Sequence, residues 1–283
     1  MSLIPSRVAR FCDRSVIISP WRRARRLLGG LWLFSGFVCY LHAAAEDPKR
    51  PDDQCPVMVD GRVALRAVQG LVEEHLAGIL RLEKVLAATS DARSARWEAL
   101  KPALKILDET MGTDAAVWFA LPDGRYYTVA DDLATETLQG RDYFPRLLAG
   151  EDVLGSLIIS RSTGHRSIVV ATPIMENQRI VGAIGVSIRT RLISQLVDQH
   201  SRFPENLYFY ALARDQQIAI HRHPDKLFKH PAEIDPRLQA VFDPLMTQGE
   251  GQLTYALEGQ LRQGVFQKST LTGWRFFLVQ EEK

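Results

Sequence analysis

The sequence predicts an α+β protein in which a long N-terminal helix carries two lobes, each an antiparallel sheet with helical insertions. Three observations predict this class. Apolar residues recur at helical spacing between positions 61 and 111, strand-like segments separated by turns follow from 115 to 188, and a similar series recurs from 207 to 280. The composition, 46% apolar and 24% charged, is typical of a globular protein and excludes a largely disordered chain.

The first 45 residues have the pattern of an export signal. WRRARR at 21–26 precedes the apolar run LLGGLWLFSGFVCYL at 27–41, and an A-x-A site ends at Ala45. This order is typical of a secretory signal peptide. The apolar run, extended by the alanines, also approaches the roughly 20 residues of a membrane span, so an inner-membrane anchor at 27–45 is the alternative. Both interpretations predict that the rest of the chain is periplasmic or otherwise extracytoplasmic.

The charge distribution excludes a nucleic-acid interface in the exported part. Residues 1–45 contain seven arginines and one aspartate, so the other 238 residues carry 28 basic and 32 acidic side chains. No basic stripe is predicted there. Residues 46–60, EDPKRPDDQCPVMVD, are predicted to be a linker, and Cys55 is the one cysteine beyond the leader, so no internal disulfide is expected.

Two amphipathic helices are predicted between residues 61 and 112. The first has an apolar stripe whose residues are three, four or seven positions apart: Leu65, Val68, Val72, Leu76, Ile79 and Leu86. After a break at 89–94, a second stripe begins at Trp97 and ends before Gly112. We expect these faces to pack on the core. Pairing of the long helix with its copy in a homodimer is a further possibility.

The first lobe is predicted to span residues 113–198. It begins with a hairpin, AAVWFAL and RYYTV around a Pro-Asp-Gly turn, followed by LQGRDYFPRLLAG at 138–150 as a short helix. Strands are predicted at 156–162, 166–174 and 179–188, and a connecting helix at 190–201.

The second lobe, residues 199–283, repeats this order of elements. A hairpin at 207–213 and 218–223 precedes a helical stretch around 238–246, and the closing strands are predicted at 251–259, 262–269 and 273–280.

This order of elements resembles the double Cache (dCache) family of extracellular sensor domains, in which a long N-terminal helix carries two stacked PAS-like lobes. The resemblance covers roughly residues 61 to 280. Besides the hairpin around PDG, the matching motifs of the first lobe are GRDYF (140–144), AG (149–150), STG (162–164), ATPI (171–174) and VGAIGVSI (181–188). Those of the second lobe are HPDKLF (223–228), the Gly and Tyr of GQLTY (251–255), and GW followed by FFLV (273–279).

The resemblance implies a binding function. Members of this family recognise small molecules such as amino acids, amines, organic acids or purines in the membrane-distal lobe, here 113–198, and pass the signal to output modules. Only QEEK follows FFLV, so we expect a stand-alone binding subunit, soluble or anchored, that reports to an envelope or membrane signalling partner. An envelope protein-interaction subunit with a degenerate Cache fold is the alternative.

The resemblance also implies a pocket in the first lobe. Amino-acid-binding members carry an Arg, one intervening residue and two aromatics, so Arg141 is expected to hold a ligand carboxylate and Tyr143 and Phe144 to form an apolar wall. The strand before the Thr-Gly turn offers Ser160 and Arg161, not an Asp for a ligand ammonium. We therefore expect a small anion such as an organic acid, with Tyr127, Ser160 and Arg161 near Arg141. Alternatively, Arg141 and Asp142 form a local pair that caps the short helix.

The strongest enzyme-like feature is a set of histidines, His221, His223 and His230. On a strand, His221 and His223 would share a face, as zinc ligands do. The sequence has no H-E-x-x-H motif, no phosphate or dinucleotide loop and no G-x-S-x-G elbow. We therefore predict a binding module that is not an enzyme and has no cofactor or metal. A periplasmic metal-dependent enzyme is the least favoured alternative.

Overall fold

The computed structural model describes residues 59–112, 114–160 and 164–282. The predicted signal peptide or anchor at 1–45, most of the predicted linker at 46–60 and Arg161 lie outside these residues. Within the described part of the chain, no helix combines the length and apolar character that a membrane span requires.

The N-terminal half of the fold is built on helix α1, Gly61–Ala87, which is followed by α2, Ser90–Arg93, and α3, Trp97–Met111. Asp60 caps α1, because its Oδ1 accepts a hydrogen bond from the backbone N–H of Arg62 at 2.7 Å. The residues from Leu65 to Ile79 in the predicted stripe are the buried face of α1. Because this face packs in the core of its own chain, it is not free to pair with a second chain.

The first lobe contains a six-stranded antiparallel sheet with the order β3-β2-β1-β6-β5-β4. Its strands are β1 Ala115–Ala120, β2 Arg125–Thr128, β3 Asp132–Thr137, β4 Val153–Ile159, β5 Arg166–Glu176 and β6 Arg179–Arg189. The short helix α4, Phe144–Leu148, lies between β3 and β4, where the sequence predicts a helix. Strand β3 is not predicted by the sequence.

Helix α5, Thr190–Ser201, leads to a five-stranded antiparallel sheet with the order β8-β7-β11-β10-β9. Its strands are β7 Leu207–Leu212, β8 Ile218–His221, β9 Glu250–Leu257, β10 Gln260–Lys268 and β11 Arg275–Glu281. Two short helices, α6 Pro231–Ile234 and α7 Leu238–Phe242, lie between β8 and β9.

Helix α1 packs against both sheets, on β5 and β6 of the first and on β10 and β11 of the second. Trp274 joins the lobes directly: it is 1% exposed, and its Nε1 donates a hydrogen bond to the carbonyl of Gly155 at 2.9 Å. The fold class predicted from the sequence is therefore confirmed, and one continuous core holds both lobes on the long helix.

Alternation along the strands gives each sheet a second face, turned away from α1. In β1, Phe119 joins the core on α1, whereas Trp118 belongs to a separate cluster on the outer face. In β7, Phe209 packs toward α1, and Tyr208 and Tyr210 lie on the outer face. Each outer face carries a cavity, and we refer to them as the first-lobe and second-lobe cavities.

Candidate functional site

The first-lobe cavity has a volume of about 230 Å³. Its floor is the outer face of β1, β2 and β6, and the segment before α4 forms part of its wall. The side chains on which the site depends are Trp118, Tyr126, Asp131, Arg141, Tyr143, Ser160, His165, Ser187 and Arg189.

Trp118 forms much of the floor, and Gly185 makes room for it. A Cβ atom at Gly185 would lie 2.0 Å from Cζ2 of the indole, so only glycine lets the ring cross β6 at this point. The indole Nε1 donates a hydrogen bond to the Ser187 hydroxyl at 3.1 Å. The Tyr143 ring lies 6.3 Å from the Trp118 ring, and together they give the cavity an apolar wall.

Arg141 is a cationic side chain that lines the cavity together with this wall. Its Nη2 donates a hydrogen bond to the carbonyl of Ile159 at 3.1 Å, which fixes the guanidinium against β4. Its Nε is buried and has no hydrogen-bond partner in the described part of the chain. Nor does Arg141 form an ion pair with Asp142 among those residues. A buried donor without an acceptor costs about 1–3 kcal/mol, and a ligand oxygen here would remove that cost.

Carboxylates also border this cavity, at positions that the sequence did not indicate. Asp114 forms an ion pair with Arg189 at 3.0 Å, so these two charges offset each other. Asp131, in the turn between β2 and β3, is exposed and accepts a long hydrogen bond of 3.4 Å from the Thr128 hydroxyl. Arg141 and Asp131 thus present opposite charges to one cavity without an ion pair to another described residue.

Three of the predicted site residues, Arg141, Tyr143 and Ser160, line the cavity together. Phe144 is 5% exposed and packs in the outer-face cluster behind it, so it supports the wall and does not line the cavity. The sixth residue, Arg161, lies outside the described residues.

Tyr127 lies on the other face of the sheet from this cavity. Its ring stacks on Trp97 of α3 at 5.1 Å and lies 6.2 Å from Phe119. Successive strand residues point to opposite faces, so Tyr126 lines the cavity in its place. The sequence does not reveal this, because β1 is apolar on both faces and the two tyrosines of β2 are adjacent.

The histidines considered as zinc ligands lie in the second lobe. Strand β8 ends at His221, whose Nδ1 accepts a hydrogen bond from the backbone N–H of His223 at 2.8 Å. Across the described residues, no three His, Cys, Asp or Glu side chains are grouped in a way that could hold a metal ion.

A long helix that carries two antiparallel sheets, each with a cavity on its outer face, is the double Cache fold of sensor domains, so the resemblance predicted from the sequence is confirmed for the fold. No protein-family model and no curated protein matches the sequence.

Solved chemoreceptor domains share this fold. The ligand-binding domain of the amino acid chemoreceptor PctB of Pseudomonas aeruginosa PAO1, in complex with L-Arg, has a TM-score of 0.64 and 18% identity, covering 78% of this chain and 94% of that one. The sensory domain of the Campylobacter jejuni chemoreceptor Tlp3 with isoleucine bound has a TM-score of 0.58 and 16% identity, covering 78% of this chain and 91% of that one. The ligand-binding domain of Pseudomonas fluorescens CtaA in complex with L-isoleucine has a TM-score of 0.59 and 16% identity, covering 78% of this chain and 89% of that one.

Proposed function

We propose that this chain is an extracytoplasmic sensor module whose first-lobe cavity binds a small molecule through a carboxylate. The buried Nε of Arg141, which has no partner in the described part of the chain, carries this proposal. The guanidinium fork can pair with both oxygens of a carboxylate. Trp118, Tyr126 and Tyr143 would hold the apolar part of the ligand.

The charges around the cavity favour an organic acid as the ligand. Arg189 is already paired with Asp114, so among the arginines that the structure describes in the cavity lining, Arg141 remains to bind an anion. Ser160, which also lines the cavity, supplies no negative charge for an ammonium group. A molecule with a carboxylate and no amine satisfies Arg141 and leaves no buried ammonium unpaired.

Isothermal titration of a panel of carboxylic acids and α-amino acids tests this proposal. Arg141→Ala removes a charge-assisted hydrogen bond, and we expect it to weaken binding of the organic acid about 10- to 150-fold. Arg146→Ala is the matched control, because Arg146 is paired with Glu151 and does not line this cavity. Tight binding of an α-amino acid that is undiminished in Arg141→Ala would contradict the proposal.

An α-amino acid is the second candidate ligand, and Asp131 is the observation that favours it. Its exposed carboxylate borders the same cavity as Arg141, so the two side chains could hold the ammonium and the carboxylate of one molecule. PctB, Tlp3 and CtaA, which share the fold, were solved with amino acids. Asp131→Asn distinguishes the candidates: it should weaken binding of an amino acid and leave binding of an organic acid intact.

We propose an envelope or membrane signalling partner, with the chain exported by the leader at residues 1–45. The continuous apolar run at 27–41 and the basic flank of that leader support the location. The fold, which the chain shares with chemoreceptor sensory domains, supports the signalling role.

A further inference from the structure

The second lobe contains a cavity that the proposed function does not use. It has a volume of about 300 Å³ and lies on the outer face of the second sheet, under α6 and α7. Strands β7 and β9 supply its floor and Leu238 and Phe242 of α7 lie over it. Both cavities therefore lie at the same place in their lobes, on the outer face of the sheet.

Aromatic rings form most of the cavity wall. Tyr210 stacks on Phe277 with ring centroids 4.7 Å apart, and Phe242 meets Tyr255 edge-on at 5.7 Å. These contacts hold the wall rigid. Tyr208, next to Tyr210 on the same face, extends the aromatic surface toward Arg262. A rigid aromatic wall favours an apolar or aromatic ligand and requires little reorganisation on binding.

The charged groups around this cavity are largely paired already. The Nε of Arg262 donates a hydrogen bond to the Glu281 carboxylate at 2.8 Å, and Lys226 at the rim pairs with Asp225 at 3.3 Å. Glu258 is exposed at the mouth. Burial, helped by the nearby His223, lowers the pKa of His221 to about 3, so this imidazole is neutral at physiological pH. Among the described residues that line this cavity, an ionised ligand would find no buried counter-charge without a partner.

One polar group in this neutral wall lacks a well-formed hydrogen bond. The Tyr208 hydroxyl is buried, lies near Tyr255 and makes no hydrogen bond of normal geometry with a described residue. Burial raises the pKa of Tyr208, so the hydroxyl keeps its proton and remains a donor. His221 adds a second donor: because Nδ1 accepts the bond from His223, the neutral ring carries its proton on Nε2. The buried Tyr208 hydroxyl calls for an acceptor.

We propose that the second-lobe cavity is a separate binding site for an uncharged, mainly apolar small molecule, about the size of one substituted aromatic ring, that presents a carbonyl or hydroxyl oxygen to Tyr208. This site is independent of the carboxylate site in the first lobe, and the two proposals can fail separately.

Four probes that differ mainly in charge test the proposal on the full chain: benzamide and benzyl alcohol, which are neutral, benzoate, an anion, and benzylamine, a cation. We expect isothermal titration to detect the neutral probes and to show at least tenfold weaker binding of the two ions. Tyr208→Phe removes only the hydroxyl and should weaken binding of benzamide about tenfold, as expected for one hydrogen bond. Leu238→Trp fills the cavity and should abolish binding of benzamide.

Arg141→Ala is the matched control, since Arg141 does not line the second-lobe cavity and its loss should leave binding of benzamide unchanged. Benzoate or benzylamine binding as tightly as benzamide would overturn the proposal. So would undiminished benzamide binding in both Tyr208→Phe and Leu238→Trp, loss of benzamide binding in Arg141→Ala, or failure of both neutral probes to bind at millimolar concentration. Circular dichroism of each variant separates a lost site from a lost fold.

Discussion

Glu83 is a carboxylic acid on the buried face of α1, and we predict that Glu83→Gln stabilises the protein at neutral pH. The side chain is 0% exposed, and neither carboxyl oxygen has a hydrogen bond of normal geometry to a described residue. Burial raises the pKa of Glu83 well above its usual value, the nearby backbone amide of Val186 partly opposes this shift, and the charge of Asp152 adds to it. Folding therefore disfavours the ionised carboxyl.

The sign of the pH dependence follows from proton binding. Below the usual pKa of 4.5, Glu83 is protonated in both the folded and the unfolded chain and the shift has no effect on stability. Between 4.5 and the raised pKa, the folded chain holds a proton that the unfolded chain has lost, so the free energy of unfolding falls as pH rises. One proton gives a slope of about 1.4 kcal/mol per pH unit.

Glutamine keeps the size of the side chain and does not titrate. The stability of Glu83→Gln minus that of the wild type should therefore increase from about pH 5 upward by about 1.4 kcal/mol per pH unit. It should then level off at the folded-state pKa of Glu83.

Urea unfolding followed by tryptophan fluorescence, repeated from roughly pH 4 to pH 8, measures this difference. Glu109→Gln, which removes an exposed carboxyl from α3, is the matched control and should follow the wild type at every pH. A difference between Glu83→Gln and the wild type that does not change with pH would refute the reasoning.

Two glycines allow sharper tests of packing. Gly185→Ala places a Cβ 2.0 Å from the Trp118 ring, so we expect it to displace the floor of the first-lobe cavity. Titration should show ligand binding at this cavity weakened at least about tenfold, and the free energy of unfolding should fall by about 1–3 kcal/mol. Unchanged affinity would argue that Trp118 does not form the floor of the binding site. Gly155→Ala combines a φ of +87° with a Cβ 3.1 Å from the Trp274 ring, whereas Gly259→Ala has a φ of +81° in open space. Urea unfolding should show a loss of about 1–2 kcal/mol for Gly259→Ala and a larger one for Gly155→Ala, and equal losses would mean that Trp274 tolerates the methyl group.

The regular elements could largely be predicted from the sequence because burial imposes a period on it. The stripe on α1 repeats at helical spacing because one face packs on both sheets, and α5 begins and ends where its pattern does. Strand β3 could not be predicted. It pairs only with β2 at the sheet edge and has no buried residue, so its sequence, DLATET, has no apolar alternation.

The sequence by itself determined the long helix and the two series of strands, through helical and strand periodicity, and its resemblance to dCache domains predicted that Arg141 and Tyr143 belong to a pocket. Only the tertiary structure decided which face each side chain occupies, and so put Tyr126 in the cavity and Tyr127 on Trp97. It also brought Asp131 to the cavity of Arg141 and left the Tyr208 hydroxyl buried without a hydrogen bond of normal geometry to a described residue. The physical reason is that cavities and unsatisfied donors arise where strands distant in sequence meet, and periodicity reports only whether a residue is buried.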